Sequence, residues 1–283
     1  MHPVQIAPGV YDVGVSDWNI RDFHGYSTDL GTTYNAFLVV DEKVALIDSV
    51  KKEFSDQLLD NIARIVDPKK IDFVVSNHTE PDHAGSLERV MHRVGEDKPL
   101  ICSKMGHKNL PKHFSRQWNY RPVENGEELS LGKRTLTFLE TRMVHWPDSM
   151  FSLLKEDGIL FSSDGFGQHY AGPEKFDDEI GERIMAPAKK YFANILLLYA
   201  PRHPHDLPRP RSHLAPGPGQ DHRRLPALVP AGARKKGRRR LRHHVGEHRE
   251  DGARDRRRAR GRGRDRDPHA ARRGAPVGRG DRA

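Results

Sequence analysis

The chain has 283 residues, a formal net charge of +9, 25 Gly, 20 Pro and one Cys. That length holds one large domain or two small ones. A single thiol excludes an internal disulfide and fits a reducing compartment. No apolar run approaches the ~20 residues of a membrane span. The N-terminal stretch around His2 and Asp12 lacks the long apolar core of a secretory signal, so a cytoplasmic protein is expected. The whole-chain charge conceals a break. Met1 to Pro201 carry 23 Lys and Arg against 30 Asp and Glu, and every Phe, Tyr and Trp. Arg202 to Ala283 carry 25 against 9 and no aromatic residue. The first segment can bury a sizeable core; the second, rich in Arg, Gly, Pro and His, cannot. A folded domain over 1–201 and a disordered basic tail over 202–283 are expected.

In chain order, Val4 to Val13 reads as a strand broken at Pro8-Gly9. Thr32 to Val40, rich in β-branched and aromatic residues, reads as one strand. Asp41-Glu42-Lys43 turns it into Val44 to Asp48. Phe54, Leu58, Ile62 and Ile65 have helical spacing over Glu53 to Val66, and Asp67-Pro68 stops that helix. Ile71 to Val75 is a strand, and a helix runs from Leu87 to about Arg93. Leu100-Ile101 is a short strand whose continuation, Cys102, reads as a buried structural thiol. Lys104 to Phe114 is a helix weakened by Pro111. Glu128 to Leu139 gives two strands around Gly132-Lys133. Ser149–Leu154 and Ile159–Ser163 form a hairpin turning at Glu156-Asp157-Gly158. Phe176 to Leu198 is helical, with a break at Pro187. Hairpins mixed with helices predict an α/β fold of sheets covered by helices on their outer faces.

The chemistry gathers at Ser76-Asn77-His78-Thr79-Glu80-Pro81-Asp82-His83-Ala84-Gly85-Ser86. Four potential metal ligands, His78, Glu80, Asp82 and His83, fall within six residues between a predicted strand and a predicted helix. Acidic and His residues also cluster on solvated loops, so the loop alone leaves metal binding and plain exposure equally open. His145, just before a strand, and Asp164, just after one, shift the balance. Two or more imidazoles with several carboxylates can hold two metals, one carboxylate bridging. Asp48 ends an apolar strand and reads first as a turn former, with support of the ligand loop as the alternative. His92, His107 and His113 read as surface residues.

The set His78-x-Glu80-x-Asp82-His83, then His145, then Asp164, resembles the metallo-β-lactamase-like domain of flavodiiron proteins (A-type flavoproteins). Gly31-Thr32-Thr33-Tyr34-Asn35, Ala45-Leu46-Ile47-Asp48, His145-Trp146-Pro147-Asp148-Ser149-Met150 and Phe166-Gly167-Gln168-His169-Tyr170 extend the likeness over roughly residues 3 to 201. The resemblance implies an αββα sandwich with two non-haem irons between the sheets. His78, Glu80 and His145 would hold one iron, Asp82 and His83 the other, and Asp164 would bridge. Glu80, where the wider hydrolase superfamily has His, suits iron. Trp146, His169 and Tyr170 are candidates to line the pocket, with a core aromatic the alternative for Trp146 and solvated loop residues the alternative for His169 and Tyr170. The family reduces O2 to water or NO to N2O with electrons from FMN in a C-terminal flavodoxin-like domain. The resemblance also implies a rubredoxin or flavin-reductase-type donor and a homodimer or homotetramer.

The family's last iron-ligand segment, Ser-Pro-Asp-His-Gly-x-Ile-Trp, and its flavodoxin domain are not visible in frame. Back-translation recovers both. Taking each tail codon as the third base of one codon and the first two of the next, Asp206 to Ala215 allow Ile-Ser-Pro-Asp-His-Gly-Val-Ile-Trp-Arg. In the same frame Leu241 to Asp251 allow Tyr-Asp-Thr-Met-Trp-Gly-Ser-Thr-Glu-Lys-Met, a loop suited to an FMN phosphate at a helix N-terminus. Two such segments in one frame point to a frameshifted gene, to a sandwich left incomplete, and to a chain that does not itself bind FMN. Two other readings stand beside this one. A metallo-β-lactamase-fold hydrolase, thioesterase- or glyoxalase-like, would use a metal-bound hydroxide. A non-catalytic module would use the basic tail on nucleic acid, although that tail lacks stacking aromatics. O2 and NO need the same ligands and are not separable by sequence.

Overall fold

In the computed structural model, residues 2–202 are described; the tail readings and the shifted-frame segments lie outside them. The chain opens with β1 (Val4–Ala7) and β2 (Val10–Asp12), an antiparallel pair turning at Gly9, whose φ is 75°. The predicted break at Pro8-Gly9 is thus a hairpin. β3 (Val15–Asp17) is followed by a two-residue hairpin of β4 (Asp22–Phe23) and β5 (Tyr26–Ser27). The single strand expected over 32–40 is two: β6 (Thr32–Tyr34) pairs with β3, and β7 (Phe37–Val40) enters the main sheet. The ladder changes hands at Asn35-Ala36, where Val13 N–H donates to the Ala36 carbonyl at 2.9 Å.

From β8 (Val44–Ile47) the chain repeats strand, helix, strand. The successive elements are α1 (Ser55–Ala63), β9 (Ile71–Ser76), α2 (Pro81–Ala84), α3 (Leu87–Val94), β10 (Leu100–Ser103), α4 (Lys104–Phe114) and β11 (Tyr120–Val123). β8 to β11 are parallel, and the seven-stranded sheet runs β1-β2-β7-β8-β9-β10-β11. β11 falls in a stretch for which the sequence reading gave no element; it holds Pro122, tolerated because β11 is the sheet's last strand, where a missing N–H costs no ladder bond. Pro111 is tolerated in α4, which spans the predicted range. α1 ends at Ala63, short of the predicted Val66.

β12 (Glu128–Ser130), β13 (Thr135–Glu140), β14 (Met150–Leu154) and β15 (Ile159–Phe161) form a four-stranded antiparallel sheet. The two sheets face each other through Val39, Ile47, Val75 and Ile101 on one side and Leu136, Phe138, Met150 and Phe161 on the other. The opposite face of the larger sheet packs on Leu58, Ile62, Leu87, Val90, Met91 and Leu110 of α1, α3 and α4. Burying a side chain of this size contributes about 1.5–3 kcal/mol. The outer face of the smaller sheet meets α6: Phe151 clusters with Tyr191 and Leu196, beyond α5 (Asp177–Ile180) and α6 (Met185–Tyr191). The order is helix, sheet, sheet, helix, as expected. The predicted break at Pro187 falls instead at Gly181, with φ 67°. Pro187 sits in the first turn of α6, where an N–H has no intrahelical partner to lose. No helix among the described residues is long and apolar enough to cross a membrane.

Candidate metal centre

The ligand loop leaves the carboxyl end of β9 and enters α2, and hydrogen bonds from both sheets hold it. Asn77, fully buried, donates from its backbone N–H to Asp48 Oδ1 (2.7 Å) and from Nδ2 to Asp48 Oδ2 (3.2 Å). Its Oδ1 accepts from Ser152 Oγ of β14 at 2.7 Å. Asp48 ends β8 with φ 59° and is 3% exposed. It is therefore both the turn former expected and the loop support that the sequence reading ranked second. Burial lifts its carboxyl to about 6, opposed by His83 and by the bonds from Asn77.

His78 is turned by Asp148. Its Nδ1 lies 3.2 Å from Asp148 Oδ2, which also accepts from Thr79 N–H at 2.7 Å. The Asp148 carbonyl accepts from Ser103 Oγ at 2.7 Å. With Nδ1 occupied, Nε2 faces Glu80 Oε2 (3.1 Å) and Asp164 Oδ2 (3.5 Å). His145 Nε2 reaches the same two oxygens, at 3.3 and 3.1 Å. His78, Glu80, His145 and Asp164 each offer a donor atom within 4.8 Å of the others. The other oxygen of Asp164 lies 3.0 Å from His83 Nε2, which is 3.5 Å from Asp82 Oδ2. Asp82, His83 and Asp164 form a second set at the same spacing. All six residues singled out in the sequence converge, and Asp164 belongs to both sets.

Imidazoles and carboxylates here stabilise each other's charged forms against burial. Burial opposes charge on His78, yet hydrogen bonds to Asp148 and Glu80 and the nearby Asp164 outweigh it and lift it to about 9. His145 is likewise raised to about 9, against its own burial, by Asp164 and Glu80. Burial pushes Glu80 up, but the imidazoles of His145, His24 and His78 hold it far below the usual carboxylate range. Asp164, opposed by burial, is held well down by His83 and His145. A metal ion can take the place of the imidazole protons that sit against these ionised carboxylates. Asp82 Oδ1 is buried with no hydrogen-bond partner, an acceptor a cation would satisfy. The donor set therefore fits transition-metal ions.

Around the cluster, the Trp146 ring stands edge-on to His78, centroids 5.2 Å apart. His169 is buried and its Nδ1 lies 2.8 Å from Thr32 Oγ1. The Tyr170 hydroxyl instead donates to Glu174 at 3.1 Å, away from the donor cluster. Sequence reasoning missed His24, whose Nε2 is 3.2 Å from Glu80 Oε1, together with Tyr26 and Tyr191. Burial, then Asp164, raises both phenols. His92, His107 and His113 are exposed, as expected. Cys102 is fully buried, its thiol pushed up to about 12 by burial and then by Asp148.

Fold and donor sets together define a metallo-β-lactamase-like domain. The family model described as ODP family beta lactamase matches residues 32–194. A nitric oxide reductase of Moorella thermoacetica is 46% identical over 202 residues, covering 70% of this chain and 50% of that protein. A rubredoxin-oxygen oxidoreductase of Megalodesulfovibrio gigas is 47% identical over 205 residues, 71% of this chain and 51% of that protein. The crystal structure of the flavodiiron protein from Giardia intestinalis has a TM-score of 0.69 at 41% identity, with 71% of this chain and 50% of that chain covered. The chain belongs to the ODP family of beta-lactamase-like proteins, and its relatives are flavodiiron proteins. It spans about half the length of the curated relatives it matches.

Proposed function

We propose that residues 2–202 are the metal-holding half of a flavodiiron-type oxidoreductase that reduces O2 to water or NO to N2O at a pair of non-haem irons. One observation carries the reading: Asp164 turns Oδ2 to His145 and His78 and Oδ1 to His83. A carboxylate facing two imidazole sets suits a bridge between two metals. On this reading His78, Glu80 and His145 hold one iron, Asp82 and His83 the other, and Asp164 both. Three carboxylates among six donors suit a harder ion than a thiolate site does. Iron bound there would supply one-electron redox chemistry. The chain's own residues prepare the site. Asp148 keeps the proton of His78 on Nδ1 and so leaves Nε2 as the donor. Trp146 and the buried Tyr191 close the cluster against bulk water.

The same reading makes 1–201 an incomplete sandwich. Phe192, Leu197 and Leu198 are 41, 52 and 80% exposed, apolar surface that a finished domain would cover. It makes 202–283 an out-of-frame tail, the protein cytoplasmic, rubredoxin or a flavin reductase the donor of the intact relative, and homodimers or homotetramers its assembly. This chain is expected to bind no FMN. Resequencing the DNA around codons 198–206 tests the frame; an intact frame there, with the tail confirmed by peptide mass, contradicts it. For the chemistry, the chain is loaded with Fe2+ without oxygen, freed of excess reductant and mixed with NO, two ferrous ions supplying the two electrons that convert two NO to N2O and water. Gas consumption in a single turnover, abolished by His145→Ala, is expected; zinc retention with thioesterase activity points to the hydrolase instead.

A further inference from the structure

His78 and His83 each turn Nε2 toward Asp164, at 3.5 and 3.0 Å. What stands behind the two rings differs. Nδ1 of His78 meets the Asp148 carboxylate, whereas Nδ1 of His83 meets a hydroxyl, Ser163 Oγ, at 3.3 Å. The His83 backbone is held from the end of β8: its carbonyl accepts from Ser49 N–H at 2.9 Å and from Ser49 Oγ at 2.8 Å. Those bonds place the residue but do not choose which ring nitrogen faces Asp164. The contact at Nδ1 does.

Serine is an unusual choice for the backbone at 163. Its φ is 45°, a left-handed conformation that Gly, Asn and Asp adopt more readily. The residue opens a short helical turn, Ser163–Phe166, that presents Asp164. That turn closes without the hydroxyl. Gly165 N–H donates to the Ser162 carbonyl at 2.9 Å, and Gly167 N–H donates to the Asp164 carbonyl at 3.1 Å. Gly165 seats the turn on β14, since a side chain there would run into the Phe151 ring. Local structure therefore gives no reason for serine. A ring 80 residues earlier in the chain does.

We propose that Ser163 is a positioning residue for the second metal: its hydroxyl accepts Nδ1–H of His83 and so leaves Nε2 as the donor beside Asp82 and Asp164. A neutral hydroxyl raises the basicity of an imidazole less than the Asp148 carboxylate does, so the His83 side binds the more weakly and fills second. The inference rests on the reading of the cluster as a two-metal centre, and the test separates the two. The full chain is titrated with Fe2+ without oxygen as wild type, as Ser163→Gly and as Ser163→Asn. Both variants suit the left-handed backbone; the first removes the hydroxyl and the second supplies another acceptor. Ser163→Gly is expected to bind the second equivalent about tenfold more weakly and the first unchanged, and Ser163→Asn to recover most of that loss. In the Zn2+-loaded wild type, the 15N spectrum of His83 is expected to show a protonated Nδ1 and a metal-bound Nε2, and that measurement decides alone if the glycine variant does not fold. Zinc on Nδ1, equal second-site affinity in wild type and Ser163→Gly, or weakening of both equivalents alike overturns the Ser163 assignment and leaves the metal centre standing. No metal uptake by the wild type overturns both.

Discussion

The two sides of the cluster are built differently. On the larger sheet four donors follow one another within six residues, and the loop carrying them is tied to Asp48, Ser49, Asp148 and Ser152. On the smaller sheet only His145 and Asp164 arrive, nineteen residues apart, from the two ends of the β14–β15 hairpin. Contiguous donors are aimed by their own loop. Separated donors are aimed by strand register, here Ser152 opposite Phe161 and Leu154 opposite Ile159. The first side should tolerate damage to its core with its donors still in place; the second should not.

The strongest test of the shared residue is Asp164→Ala. Both donor sets lose an oxygen, and elemental analysis after gel filtration is expected to find neither tightly bound metal; retention of one would break the picture of a common carboxylate. The comparison itself is sharpened by a core truncation on each side. Phe161→Ala, in the β15 core against Phe37 at 5.0 Å, should cost about 3–5 kcal/mol. Leu87→Ala in α3 should cost about 2–5 kcal/mol. Urea unfolding reads both losses, but only Phe161→Ala should also weaken metal binding, and equal effects on metal would refute the distinction.

The asymmetry explains what was legible. The loop donors announce themselves by spacing, and the βαβ run from β8 to β11 by alternating apolar strands and helical periodicity. His145 and Asp164 were legible as donors beside predicted strands, but which metal each would hold came only through resemblance, since nothing local ties two residues on separate loops together. His24 left no trace. It sits at a two-residue hairpin tip, where the local signal is a turn, and its approach to Glu80 is made by tertiary packing. The strand over 32–40 was misread for a similar reason: its β-branched residues suit either ladder, and only the pairing with β3 splits it.

A smaller effect concerns Asp48. Its folded carboxyl titrates near 6 against an ordinary 3.8, so the folded state keeps a proton the unfolded chain has lost between those values. Stability from this group is present at low pH and falls as pH rises through that window. Relative to Asp48→Asn, the wild type should lose up to about 2 kcal/mol between about pH 4 and 6 and then run parallel, by urea midpoints. A parallel course throughout would remove the buried proton. The smallest effect is at Cys102, whose thiol should not react with a disulfide reagent in the folded chain at pH 8 and should react fully in urea; reaction in the folded state would place it at the surface.

The central claim is two metal sites joined by Asp164. Mössbauer spectroscopy of the full 283-residue chain loaded with 57Fe tests it most directly. Two iron environments are expected, coupled through a common bridge when oxidised and both lost in Asp164→Ala. A single uncoupled iron, or iron that persists in that variant, would contradict it.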